Sequence, residues 1–172
     1  MNRRSSLILG TLVLVLLLSN ALACGCVERK SEWKTYENKE WKFKFKYPAD
    51  WKTMELKGIL GVPEGVFCVR IGSNYDPIIG GFVSVDKHLF SSCEEGIKDY
   101  LSRHSYKVQE WENITLGGEP AIKVAYATSD TQKVMDICAV HKNKKYEIHL
   151  VSDKLDQRAG QINQIVESFE FI

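Results

Sequence analysis

From Trp41 to Tyr47 the chain alternates aromatic and basic residues without a break: Trp41, Phe43, Phe45 and Tyr47 at one parity, Lys42, Lys44 and Lys46 at the other. Side chains at period two point to opposite faces of an extended backbone, so this stretch predicts a strand with one buried face. Pro48 has no ladder donor and ends the strand, and Ala49 and Asp50 turn the chain into Trp51, which starts a second segment reaching about Leu56. The lysines read as a row that solubilises the outer face and guards a sheet edge, not as a site for an anionic partner.

Strand patterns dominate the chain beyond Leu56. Gly58 to Gly65 is a loop with Gly58, Gly61, Pro63 and Gly65 as breakers, and Val66 to Ile71 reads as a strand. Gly72 to Pro77 is a polar turn before a strand from Ile78 or Ile79 to Val85. The period then changes: Ser91 or Ser92 caps a helix with Glu94 and Glu95 in its first turn, Ile97, Tyr100 and Leu101 on one face and His104 near its end. Tyr106 to Thr115 is extended, in two pieces around Glu112. A Gly117–Pro120 turn leads to a strand over Ala121–Ala127, and Val134–His141 pairs with Tyr146–Val151 as a hairpin. Leu155, Ala159, Ile162, Ile165 or Val166, and Phe169 fall at helical spacing and close the chain as an amphipathic helix. The order predicts an α+β fold, an antiparallel sheet covered by helices, with no internal repeat.

The start of the chain speaks to destination. Arg3 and Arg4 precede an apolar run from Leu7 to Leu18, then Ala21, Leu22, Ala23, Cys24, Gly25 and Cys26, the pattern of a lipoprotein export signal. Twelve helical residues rise only about 18 Å, short of the roughly 30 Å hydrocarbon core. The expected organisation is therefore a signal peptide over residues 1–23, a flexible tether over 24–34 and one domain over 35–172. Cys24 is the expected lipid anchor, with Cys26 as the alternative; plain secretion after Ala23 is the other reading of the same small residues. An anchored chain sits at the surface of the cell membrane, extracytoplasmic, with an envelope protein as its expected partner. Removing Arg3 and Arg4 from the 23 basic residues leaves 21 against 22 acidic ones, so there is no basic field to attract nucleic acid.

Chemistry-bearing motifs are sparse. A serine elbow, a glycine-rich phosphate loop, paired histidines on a helix and a calcium loop are all missing from the sequence. Beyond the leader, Cys68, Cys93 and Cys138 allow one disulfide in three pairings; free buried thiols are the default in a domain of this size. Cys93 near a helix start could serve as a nucleophile only with a histidine beside it. One set could hold zinc or copper. With Asn143 and Lys144 as a two-residue hairpin loop, Cys138 faces His149, and Asp136, Cys138, Glu147 and His149 share one sheet face. His88 and His104 read as exposed. Asn113, Ile114 and Thr115 form a glycosylation sequon.

Tyr36, Glu37 and Asn38, together with the Trp41–Tyr47 ladder, Pro48 and Trp51, resemble the opening of PsbP-like domains. Leu116, Gly117, Gly118, Pro120 and Ala121 resemble their turn before a central strand, and Ser168 and Phe169 the serine-phenylalanine ending of their last helix. The likeness runs from Thr35 to Ile172. It implies a three-layer α/β/α sandwich with a central antiparallel sheet and a non-enzymatic role. Members include prokaryotic lipoproteins and the extrinsic lumenal subunit that helps photosystem II retain calcium and chloride, so calcium enters as a cofactor by resemblance only. The long amino-terminal segment by which plant members act on the oxygen-evolving centre has no counterpart here, and a role in oxygen evolution is not expected. The expectation is a membrane-anchored, non-catalytic binding or accessory module that recognises an envelope protein or small ligand through loops around Gly58–Pro63 and Gly72–Pro77. A metal-binding extracytoplasmic protein is the alternative.

Overall fold

A computed structural model describes residues 32–56, 65–73, 80–86 and 92–172. The expected signal peptide over residues 1–23, Cys24, Cys26, most of the expected tether, the 58–63 loop, residues 74–77 and His88 lie outside the described residues.

The described chain is mostly antiparallel sheet with two helices. Strands β1 (Trp33–Asn38), β2 (Phe43–Pro48) and β10 (Glu170–Phe171) form a small sheet in the order β1-β2-β10. A larger sheet is built from β3 (Trp51–Glu55), β4 (Val66–Ser73), β5 (Gly80–Asp86), β6 (Lys107–Leu116), β7 (Glu119–Ala127), β8 (Lys133–His141) and β9 (Lys144–Ser152). Its order, β3-β4-β5-β9-β8-β7-β6, joins two meanders that run in opposite senses, with every neighbour antiparallel. Helix α1 (Cys93–His104) connects them and α2 (Ala159–Glu167) comes after β9 and a single 3-10 turn. Between β5 and β6 lie three strands, so the connection must cross about 19 Å of sheet. Twelve helical residues rise about 18 Å, and α1 settles against β7 and β8. This crossover roofs one face of the large sheet.

Alternation sorts the large sheet into two faces. On one, Phe67, Val69, Ile71, Val83, Val85, Ile137, Tyr146, Ile148 and Leu150 meet Trp41, Phe43 and Phe45 of the small sheet and Ile162, Ile165 and Phe169 around α2. Phe43 and Phe169 stack at 5.6 Å between centroids, and both are buried. On the other face, Ile97 and Leu101 of α1 cover Val124, Tyr126, Val134 and Cys138. Ser92 caps α1 with a reciprocal box: its hydroxyl accepts from the Glu95 N–H and the Glu95 carboxylate accepts from the Ser92 N–H, both at 3.2 Å.

Three sequence expectations change in detail. Trp41 is buried as predicted but sits in a turn before β2, where Lys42 has φ 60°; the Asn38 side-chain oxygen accepts from the Trp41 N–H at 2.8 Å and fixes that turn. The lysine row does not guard an edge, because β2 is flanked by β1 and β10; Lys44 instead pairs with Glu170 on β10 at 2.8 Å. Folded structure also begins before residue 35, since Trp33 pairs with Pro48 and packs on the core. The Gly117–Gly118 turn is as expected, with φ of 59° and 88°.

Candidate functional site

The hairpin that joins β8 to β9 turns at Lys142 and Asn143, with φ of 47° and 58°, one residue earlier than the sequence pattern suggests. Opposite pairs therefore shift by two: Asp136 faces His149 and Cys138 faces Glu147. A shift of two preserves parity, so all four still share the face beneath α1.

Asp136 is 4% exposed and both of its oxygens are engaged. The Tyr126 hydroxyl donates to Oδ2 at 2.8 Å, and His149 Nδ1 lies 2.6 Å from Oδ1. A carboxylate only accepts, so Nδ1 carries the proton and Nε2 is the free ring nitrogen. The Phe82 ring stacks on the imidazole at 4.7 Å and restricts its rotation. Burial, and then the Asp136 charge, pushes the Tyr126 phenol far above its ordinary value, so it remains a donor at any physiological pH. Tyr100 on α1 is also raised, chiefly by burial. Glu147 completes the group: it pairs with Lys145 at 3.4 Å, and Asp136, Glu147 and His149 each offer a ligand atom within 4.8 Å of the others.

These groups line a cavity of about 260 Å³ between the sheet and α1, closed on the helix side by Ser92, Gly96, Ile97 and Tyr100. Ligand pockets run from roughly 300 to 1,000 Å³, so this one suits a small polar molecule, a single ion with its waters, or one inserted side chain. The polar groups converge from two strands while aromatic rings of Phe82, Tyr100 and Tyr126 form the walls.

Cys138 does not join the set as its parity led one to expect, because its sulfur is bonded to Cys93. The same bond removes Cys93 as a nucleophile and corrects the expectation of free thiols for those two; Cys68 is free and buried, its thiol raised by burial and secondarily by Glu147. His104 is exposed, its ring tilted against Tyr100 at 4.4 Å and stacked on Tyr106 at 5.3 Å. His141 lies elsewhere, bonded to Glu119 at 2.7 Å and stacked on Phe171 at 4.2 Å. Asn113 is exposed on β6, beside a second, more open and largely apolar hollow of about 490 Å³. Sequence reasoning missed Tyr126 and Phe82. Both become visible only once β7 and β5 are known to flank the β8–β9 hairpin. Among the described residues no helix is long and apolar enough to cross a membrane.

Comparison with known proteins gives the fold and no more. No protein-family model matches the chain and no curated protein matches it by sequence. It is similar to the solution structure of cyanobacterial PsbP (CyanoP) from Synechocystis sp. PCC 6803, with a TM-score of 0.63 at 16% identity, over 87% of this chain and 98% of that one. A crystal structure from Bacteroides thetaiotaomicron is similar with a TM-score of 0.53 at 15% identity, over 81% of this chain and 48% of its own. The fold is PsbP-like.

Proposed function

We propose that this protein is an exported, membrane-anchored, non-catalytic binding or accessory module, and that the cavity beneath α1 is where it binds. The single observation that carries the reading is the convergence of Asp136, Glu147, His149 and Tyr126 on one partly open hollow of about 260 Å³. That position revises the sequence-based choice of the 58–63 and 72–77 loops. In this reading the chain is a distant lipoprotein member of the PsbP-like family, and α1 on one face with α2 and the small sheet on the other are the outer layers of its three-layer α/β/α sandwich. Anchoring rests on the leader residues alone, with Cys24 acylated. Detergent extraction and crosslinking from native membranes test it: recovery of a component other than a second copy, lost in Tyr126→Phe/His149→Ala, is expected. Self-contacts alone would count against the proposal.

A second reading is favoured by the 4.8 Å spacing of the Asp136, Glu147 and His149 ligand atoms. It makes the protein a metal-binding one, for zinc or copper; calcium has only the family likeness behind it. Elemental analysis of the domain exposed to zinc in both its disulfide-bonded and its reduced form decides: near one equivalent of metal in either form, lost in His149→Ala, supports this reading, and its absence from both retires it.

A further inference from the structure

The disulfide that withdraws Cys138 from the ligand set is also a wall of the cavity, since Cys93 and Cys138 both line it. Cys138 stands directly opposite Glu147, and Asp136 directly opposite His149. Side chains opposite one another on antiparallel strands hold their Cβ atoms about 5 Å apart, so the four form one block. Within it Asp136 already holds His149 through Nδ1 and is itself held by Tyr126, the arrangement by which a carboxylate orients a metal-binding imidazole. Glu147 and the free Nε2 of His149 then supply two ligands. Zinc in an open site takes three from the protein, with water in the fourth position. The missing third is the sulfur tied to Cys93.

We propose that the Cys93–Cys138 disulfide gates a soft-metal site: opening it gives the Cys138 thiolate to an ion held by Glu147 and His149, so that zinc binds the reduced protein and only weakly the oxidised one. The inference rests on the metal-binding reading of this cavity. A dithiol reductant supplies two electrons and two protons; the S–S bond breaks, Cys93 and Cys138 become thiols, and the dithiol closes to its own disulfide. Zinc then displaces the Cys138 proton to solvent as the Zn–S bond forms. Reduction also frees the first residue of α1 from β8. Packing of Ile97 and Leu101 on Val124, Tyr126 and Val134 still holds the helix.

The test is titration with zinc against a chromophoric chelator, and with cobalt(II) read by thiolate charge-transfer absorption, on the oxidised protein, the protein reduced with a phosphine, and Cys93→Ser. All carry Cys68→Ala so that the free thiol contributes nothing. The reduced protein and Cys93→Ser should bind zinc at least about tenfold more tightly than the oxidised form, with the cobalt–sulfur band present in those two and absent in Cys138→Ser. Equal zinc affinity in both redox states with no sulfur band would overturn the gate while leaving the metal reading standing. No zinc binding in any form would overturn both. A sulfur band that survives in Cys138→Ser would assign the ligand elsewhere and overturn the gate. Circular dichroism of Cys93→Ser, matched to the oxidised protein, shows that the variant has folded.

Discussion

His149 and Asp136 face each other across the β8–β9 ladder with Nδ1 2.6 Å from Oδ1, and Tyr126 closes the far side of the same carboxylate at 2.8 Å. Asp136 is 4% exposed, so losing the Tyr126 hydroxyl takes away one of its two protein donors, and hydrogen bonds to charged groups contribute about 1.5–3 kcal/mol. Tyr126→Phe should therefore destabilise the domain by about 2 kcal/mol in urea unfolding with an unchanged m-value. A loss under about 0.5 kcal/mol would mean that solvent reaches Asp136.

Alkaline pH should weaken the fold through the same residue. The Tyr126 phenol is raised above its ordinary value of 10.0 by burial and then by Asp136, and Tyr146 is raised by burial. Above about pH 10 the unfolded chain loses these protons while the folded chain keeps them, so the unfolded state binds fewer and stability falls as pH rises. Each tyrosine contributes a slope of up to about 1.4 kcal/mol per pH unit in that window. Well below that window neither contributes a slope. Tyr126→Phe should flatten the decline, which thermal unfolding between about pH 9 and 11 measures.

What the sequence disclosed and what it hid divide along physical lines. Period-two alternation is local, so the Phe43–Tyr47 face and the shared parity of Asp136, Cys138, Glu147 and His149 were legible, and parity survived a hairpin turn placed one residue late. Strand partners are not local. Nothing in Trp33–Asn38 or Glu170–Phe171 announces that they flank β2, so the small sheet went unread and its lysines were assigned to an edge. The Cys93–Cys138 pairing likewise depends on where α1 lands in its crossover, and no local pattern around Cys68, Cys93 or Cys138 carries that information.

Glycine at position 81 is required by the approach of β9. A Cβ there would lie 2.1 Å from the His149 carbonyl oxygen and 2.8 Å from Leu150 Cδ2, and backbone cannot retreat without parting β5 from β9. Gly81→Ala should cost about 3 kcal/mol and disturb the imidazole held by the same strand. Gly160 in α2 has nothing within 4 Å of its Cβ position, so Gly160→Ala should stabilise the protein by about 0.5 kcal/mol. Chemical denaturation of both variants checks the contrast, and similar midpoints would contradict it.

Anchoring predicts an acylated amino terminus. Intact mass of the protein from membranes should show a chain beginning at Cys24 with lipid attached, and Cys24→Ser should shift it to the soluble fraction. Retention of the membrane form in Cys24→Ser but not in Cys26→Ser would move the anchor to Cys26.

Placing a photo-crosslinking residue at Lys145, on the rim of the cavity beneath α1, tests the proposal where it is most exposed. Irradiation of native membranes should yield an adduct with a component other than a second copy of this chain, and that adduct should disappear in Tyr126→Phe/His149→Ala. Adducts with itself alone, or an adduct indifferent to those two substitutions, would contradict the assignment of this cavity as the binding site.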